Sequence, residues 1–94
     1  MFSGGSYDDV ARWLRNFLSS HAKREHPRAE VELDAGDHRE GTSYGARVRL
    51  GARVSASIDL DYAEVARNRG NLSWCAGMAA RVREVVRDLM SAAA

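Results

Sequence analysis

The sequence has no pair of cysteines. Cys75 is the only one among 94 residues, so no internal disulfide can staple the fold, and a reducing, cytoplasmic setting is the expectation. Proline occurs once, as Pro27, and lysine once, as Lys23. No apolar run approaches the roughly 18 residues that span a bilayer. The first residues also lack the charged and apolar leader of a secreted chain. These absences argue against a membrane span, a disulfide scaffold and secretion.

Strong charge of one sign is missing as well. The formal net charge is +1, which gives the whole chain no marked attraction to nucleic acid or to an anionic membrane. Residues 29 to 62 carry seven acids and four bases, whereas the segments before and after each carry five bases and three acids. Thirteen of the fourteen bases are arginine and fifteen residues are alanine, a bias that a GC-rich, bacterial-like genome produces by itself. The length suits a single domain over residues 1 to 94 with one core, its ends at 1 to 5 and 91 to 94 expected to fray. A pocket of several hundred Å3 would hollow out much of so small a core, so a groove, a sheet face or an edge is the more natural working surface.

What is present is a clear change of period. SYDD offers Ser6 as an N-cap with two acids in the first turn. From there Val10, Leu14, Phe17, Leu18 and His21 recur at helical spacing, with Tyr7 and Trp13 on the flank, and His26-Pro27 ends the helix near residue 25. Then Val31 and Leu33 alternate with acids, Tyr44, Ala46, Val48 and Leu50 alternate with Gly45, Arg47 and Arg49, and Val54, Ala56, Ile58, Leu60 and Tyr62 alternate with Ser55, Ser57, Asp59 and Asp61. AEVARNRG follows as a short helical turn ended by Gly70. A second long helix begins near Asn71 or Ser73, its apolar stripe formed by Cys75, Met78, Ala79, Val82, Val85, Val86 and Leu89.

The expected fold is α+β: a two-layer α-β-β-β-α domain with a three-stranded antiparallel meander and both helices on one face. The outer face then carries Glu30, Glu32, Asp34, Arg47, Arg49, Ser55, Ser57, Asp59 and Asp61, with the arginines neutralised by acids across the strands. GARV occurs at 45–48 and again at 51–54, and Gly51 is where the chain must reverse. A two-residue Gly51-Ala52 turn would set Leu50 opposite Arg53 and mix the faces, so a connection of odd length is the expectation.

The chemistry-bearing residues form no recognised site. His21, His26, His38 and Cys75 match no metal-ligand spacing, and nothing suggests a cofactor. Cys75 falls on an apolar stripe and is expected to be a buried structural residue. The loop Asp37-His38-Arg39-Glu40 holds a potential general base but reads as a solvated hairpin loop. No phosphate-binding, dinucleotide or nucleophile-elbow motif is present, so no enzymatic activity is expected.

The order of elements resembles that of the double-stranded-RNA-binding domain. That resemblance extends over the whole chain in topology only. The family's lysine-rich start of the second helix is absent, since LSWCAGMAARVR has no base before Arg81. Its Gly-Pro loop is also absent, so no RNA-contacting residue is carried over.

A non-catalytic protein-interaction domain is therefore expected, self-associating or binding a protein partner through the third strand, an edge of seven or more residues with no lysine or proline. Its candidate interaction residues are Ser55, Ser57 and Asp59, with Trp13 and Trp74 as interface candidates on the helices. The alternative is a nucleic-acid-binding domain acting through Arg12, Arg15, Lys23, Arg24, Arg81 and Arg87, which would bind heparin or duplex RNA in a salt-dependent manner.

Overall fold

A computed structural model describes residues 6–39 and 41–92. The expected loose ends at 1–5 and 93–94 and the loop residue Glu40 lie outside the described residues. The chain forms α1 (Tyr7–Glu25), β1 (Glu30–Asp34), a 3-10 turn (Asp37–Arg39), β2 (Ser43–Leu50), β3 (Arg53–Val54), β4 (Ile58–Asp61), α2 (Tyr62–Asn68) and α3 (Leu72–Ala92). Ser91 and Ala92, expected to fray, are thus the last residues of a helix.

Local signals account for the helix boundaries. The Ser6 hydroxyl accepts from the Asp9 amide at 3.1 Å, and His26 leaves the helix in an extended conformation just ahead of the proline. Asp61 caps α2 by accepting from the Glu64 amide at 3.0 Å, and Asn71 caps α3 by accepting from the Trp74 amide at 3.0 Å. Each cap satisfies one of the amides that a helix start leaves without a partner, for about 1 kcal/mol.

All strand pairs are antiparallel, and the fold is of the α+β class. β2 is central, with β1 on one side and β3 and β4, end to end, on the other. Tyr44, Ala46 and Val48 point from β2 into a core shared with Val10, Leu14 and Leu18 of α1 and Met78, Val82, Val86 and Leu89 of α3. Both long helices therefore cover the same sheet face. They run parallel to each other: Trp13 meets Trp74 near their starts, and Glu25 at the end of α1 pairs with Arg83 and Arg87. A fully buried leucine such as Leu14 contributes roughly 1.5–3 kcal/mol by leaving water.

Two details correct the sequence-based expectation. Leu50 does stand opposite Arg53, across a two-residue turn, so the connection is not of odd length. Gly51 has φ +64 and Ala52 does not have a positive φ, the conformation that a II′ hairpin turn asks of its first central residue and one that suits the twist of the strands. Parity is restored farther along. Ala46 pairs with Ile58 and Tyr44 with Leu60, a register displaced by one residue from that at the turn, and the displacement is absorbed by a bulge at Ser55-Ala56-Ser57. Ser55 holds the bulge: its amide donates to the Val48 carbonyl at 2.8 Å and its hydroxyl accepts from the Val48 amide at 2.9 Å.

The bulge changes which residues face in. Val54, expected on the core side, pairs with Arg49 on the outer face and is 42 % exposed, and Ala56 is also exposed. The expected third strand of seven or more residues is divided into β3 and β4, of two and four residues. Tyr62, expected as its last residue, opens α2 instead.

At the other end of β2 three tyrosines close the core. The Tyr7 ring, expected on a helix flank, stacks on Tyr44 at 4.6 Å, and Tyr62 stands edge-on to both. The Tyr44 hydroxyl donates to the Tyr7 carbonyl at 2.8 Å, and the Tyr7 hydroxyl donates to the Ser43 carbonyl.

Candidate functional site

The outer sheet face is organised by a residue that sequence patterning left in a loop. Arg39, at the end of the 3-10 turn, extends over the sheet. Its Nε donates to Asp34 Oδ2 on β1, its Nη1 to Ser43 Oγ on β2 and its Nη2 to Asp59 Oδ1 on β4, each at 3.1 Å. One guanidinium thus ties three strands. The space it occupies exists because Gly45 has no side chain: a Cβ there would fall 2.9 Å from Nη2 and 3.0 Å from Ser57 Oγ. A glycine inside an alternating strand marks such close approaches, and it was the one available sequence signal for this contact.

On the rest of that face the expected cross-strand pairing is made by Glu32. Glu32 lies between Arg47 at 3.7 Å and Arg49 at 2.6 Å. The Gly36 amide, donating to Oδ1, is the largest influence holding the Asp34 carboxyl below its ordinary value, with Arg39 and His38 adding to it against partial desolvation. His38 is largely exposed, with Nε2 3.5 Å from Asp34 Oδ2. Together these groups form a surface charge network already occupied by its own members.

A more open surface lies along the β3–β4 edge. Between that edge and α3 runs a groove of about 400 Å3. Its less exposed members, Ile58 from β4 and Val85 and Leu89 from α3, give it an apolar floor, Ser55 and Ser57 border it on the strand side, and Arg81 and Asp88 stand on α3. The Tyr62 amide donates to the Thr42 carbonyl. By strand alternation the main chains of Leu60 and Ile58 also turn toward β2, and that of Asp59 turns outward. Of the three edge candidates, Ser57 borders the groove while its hydroxyl lies over Gly45 on the outer face, Ser55 lines it while its hydroxyl serves the bulge, and Asp59 presents its backbone to the edge and its carboxylate to Arg39.

No protein family, curated protein or solved structure matches this chain. Its own geometry is therefore what bears on function.

Trp13 and Trp74 come together between the helices, their ring centres 6.4 Å apart. The row continues through Phe17, stacked on Trp13 at 5.1 Å, to His21, edge-on to Phe17 at 4.7 Å. All four are half-buried, and the Trp74 indole donates to Glu64 Oε2 at 3.3 Å. The tryptophans thus seal the seam between α1 and α3. The buried Nδ1 of His21 has no hydrogen-bond partner, and burial first, then Arg24 and Arg83, lowers the pKa of the ring.

Of the six candidate nucleic-acid residues, three are engaged elsewhere in the fold. Lys23 is turned toward the carbonyls of Pro27 and Ala29, Arg87 toward Glu25, and Arg81 lines the groove. Arg12, Arg15 and Arg24 are exposed on α1 without an ion pair among the described residues. Cys75 departs from its expected burial: it is half-buried, with Sγ directed at the carbonyls of Asn68 and Arg69 at 3.7 and 3.6 Å. Among the described residues no cluster of ligating side chains suits a metal, and no helix is long and apolar enough to cross a membrane.

Proposed function

We propose that this chain is a non-catalytic protein-interaction domain whose docking surface is the β4 edge together with the groove beside α3. The observation that carries this proposal is the juxtaposition of outward backbone groups at Asp59 with an apolar floor of Ile58, Val85 and Leu89. An added strand would find main-chain partners at the edge and a place for alternate side chains in the groove, the two ingredients of recognition by strand addition. The bulge at 55–57 confines that pairing to the four residues of β4, which keeps the edge short and leaves much of the contact to the groove.

The titratable residues that meet, Asp34, His38, Arg39 and Asp59, do so in an exposed network that ties the sheet, which supports a structural role for them. A lone cysteine suits a reducing compartment, and the domain is assigned to the cytoplasm on that ground. The engagement of Lys23 with backbone carbonyls and of Arg87 with Glu25, and the place of Arg81 in the groove, favour protein over nucleic acid as the partner.

Amide exchange tests the surface. The protein is titrated with unlabelled copies of itself and with a panel of extended peptides of alternating apolar and polar residues. New protection at Asp59 and along the Arg81–Leu89 side of α3 is the expected result. Protection confined to the outer sheet face, or salt-sensitive retention on heparin mapped to α1, would overturn it.

A further inference from the structure

The groove is charged in a way that suits one occupant in particular. Arg81, Val85, Asp88 and Leu89 lie at positions i, i+4, i+7 and i+8 of α3 and so form a single stripe, all four lining the groove. Arg81 and Asp88 are exposed and neither pairs with an opposite charge among the described residues. They are seven positions apart, about 10.5 Å along the axis, and Val85 lies close to the midpoint. Glu84, between them in sequence, does not line the groove.

A stripe with a cation at one end, an anion at the other and an apolar centre is complementary to itself when turned end for end. A two-fold axis beside Val85 brings Arg81 of each copy to Asp88 of the other and sets the two Val85 side chains together. The same operation runs the two β4 edges antiparallel, as an isologous interface requires. Asp59, the acid such edges would bring near its own copy, is already answered by Arg39 at 3.1 Å, which lowers the like-charge cost of that approach.

We infer that the occupant of the groove is a second copy of this chain, in a two-fold dimer held by reciprocal Arg81–Asp88 pairs across a Val85 and Leu89 centre. This rests on the docking surface proposed above and names its partner. Mutual exchange of two charge pairs selects the antiparallel arrangement, since a parallel one sets like charges together and a slipped one leaves the charges unpaired.

Charge reversal tests the inference. Sedimentation equilibrium is run from low to high micromolar protein on the wild type, Arg81→Glu, Asp88→Arg and the double reversal, with circular dichroism checking each fold. The wild type is expected to dimerise, each single reversal to weaken dimerisation at least about tenfold, and the double to return within about threefold of the wild type. A wild type that stays monomeric at high micromolar concentration overturns the inference, as does a dimer indifferent to either reversal. If the monomer nonetheless gains protection along the groove from an extended peptide, the docking surface stands and only the second copy is lost. If neither self-association nor peptide protects the groove, both fail.

Discussion

Arg39 lies across Gly45 so closely that a Cβ on the glycine would meet Nη2 at 2.9 Å. The contact holds β1, β2 and β4 through one guanidinium, and it makes the two positions interdependent. Gly45→Ala forces the flexible end of Arg39 off Asp34 and Asp59 and is expected to destabilise the protein. With Arg39→Ala already in place only the 3.0 Å approach to Ser57 Oγ remains, so the same substitution should cost less, the remaining cost offset further by the roughly 0.5–1 kcal/mol that a glycine inside a strand forfeits. A double-mutant cycle in urea measures this, and additive effects would show that the guanidinium does not depend on the gap.

The bulge depends on one hydroxyl. Ser55→Ala leaves the Val48 amide without the acceptor it has at 2.9 Å, in a residue that is 1 % exposed. The expected loss is about 1–2 kcal/mol, the usual cost of a buried donor without a partner. Faster exchange of the Val48 amide should accompany it, and unchanged exchange would assign the bulge to turn geometry alone.

His21 gives the protein a sensitivity to mild acid. Burial holds its pKa below the ordinary 6.5, so as the pH falls the unfolded chain takes up a proton before the folded one does. Stability is full above 6.5 and declines as the pH drops below it toward the lower folded-state value. His21→Phe removes the unpartnered Nδ1 while keeping an aromatic ring against Phe17, and should add about 0.5–1 kcal/mol at neutral pH. Urea midpoints between pH 7.5 and 5 should fall less steeply in this variant, and an unaltered slope would place the acid sensitivity elsewhere.

Tyr44 acts at the alkaline end. Burial, then the neighbouring Tyr7 and Tyr62, raises its hydroxyl above the ordinary 10.0. The folded state keeps this proton longer than the unfolded one, so the stability it contributes is present below pH 10 and is lost as the pH rises through the range between the two values. An ultraviolet titration should show one tyrosine that ionises only as the protein unfolds. Tyr44→Phe should abolish that late step and cost about 0.5–1.5 kcal/mol at neutral pH through loss of the hydrogen bond to the Tyr7 carbonyl, which stays within the first turn of α1.

The helices were legible because their signals are local. Ser6 with its acids, the His26-Pro27 stop and the Asn71 cap act within a turn of the residues they affect, and the boundaries of α1 agree with the sequence pattern to the residue. The sheet was legible only as far as its class and order. Alternation placed Tyr44, Ala46, Val48, Ile58 and Leu60 inward, yet it also placed Val54 inward, where the structure has it exposed. The two-residue turn at Gly51 and the inward row of β4 are incompatible in one continuous register, and either could have yielded. Both were kept, at the expense of the ladder between them, because small residues at 55–57 tolerate a bulge and Ser55 supplies the hydrogen bond that the break would have removed.

The candidate surfaces divide in the same way. Ser57, Asp59 and the tryptophans could be singled out from composition and position, but Arg39 could not, because its three partners come from strands that only folding brings side by side. Arg81 was noted as one base among several, and its relation to Asp88 became meaningful only once α3 was seen beside an open edge. By itself the sequence determined what depends on near neighbours: two capped amphipathic helices, segments of strand period, one core and no disulfide. The tertiary structure decided what depends on residues distant in the chain, namely the register of the third strand, the reach of Arg39 over Gly45 and the groove beside α3, since spacing along a chain does not state which faces will meet across it.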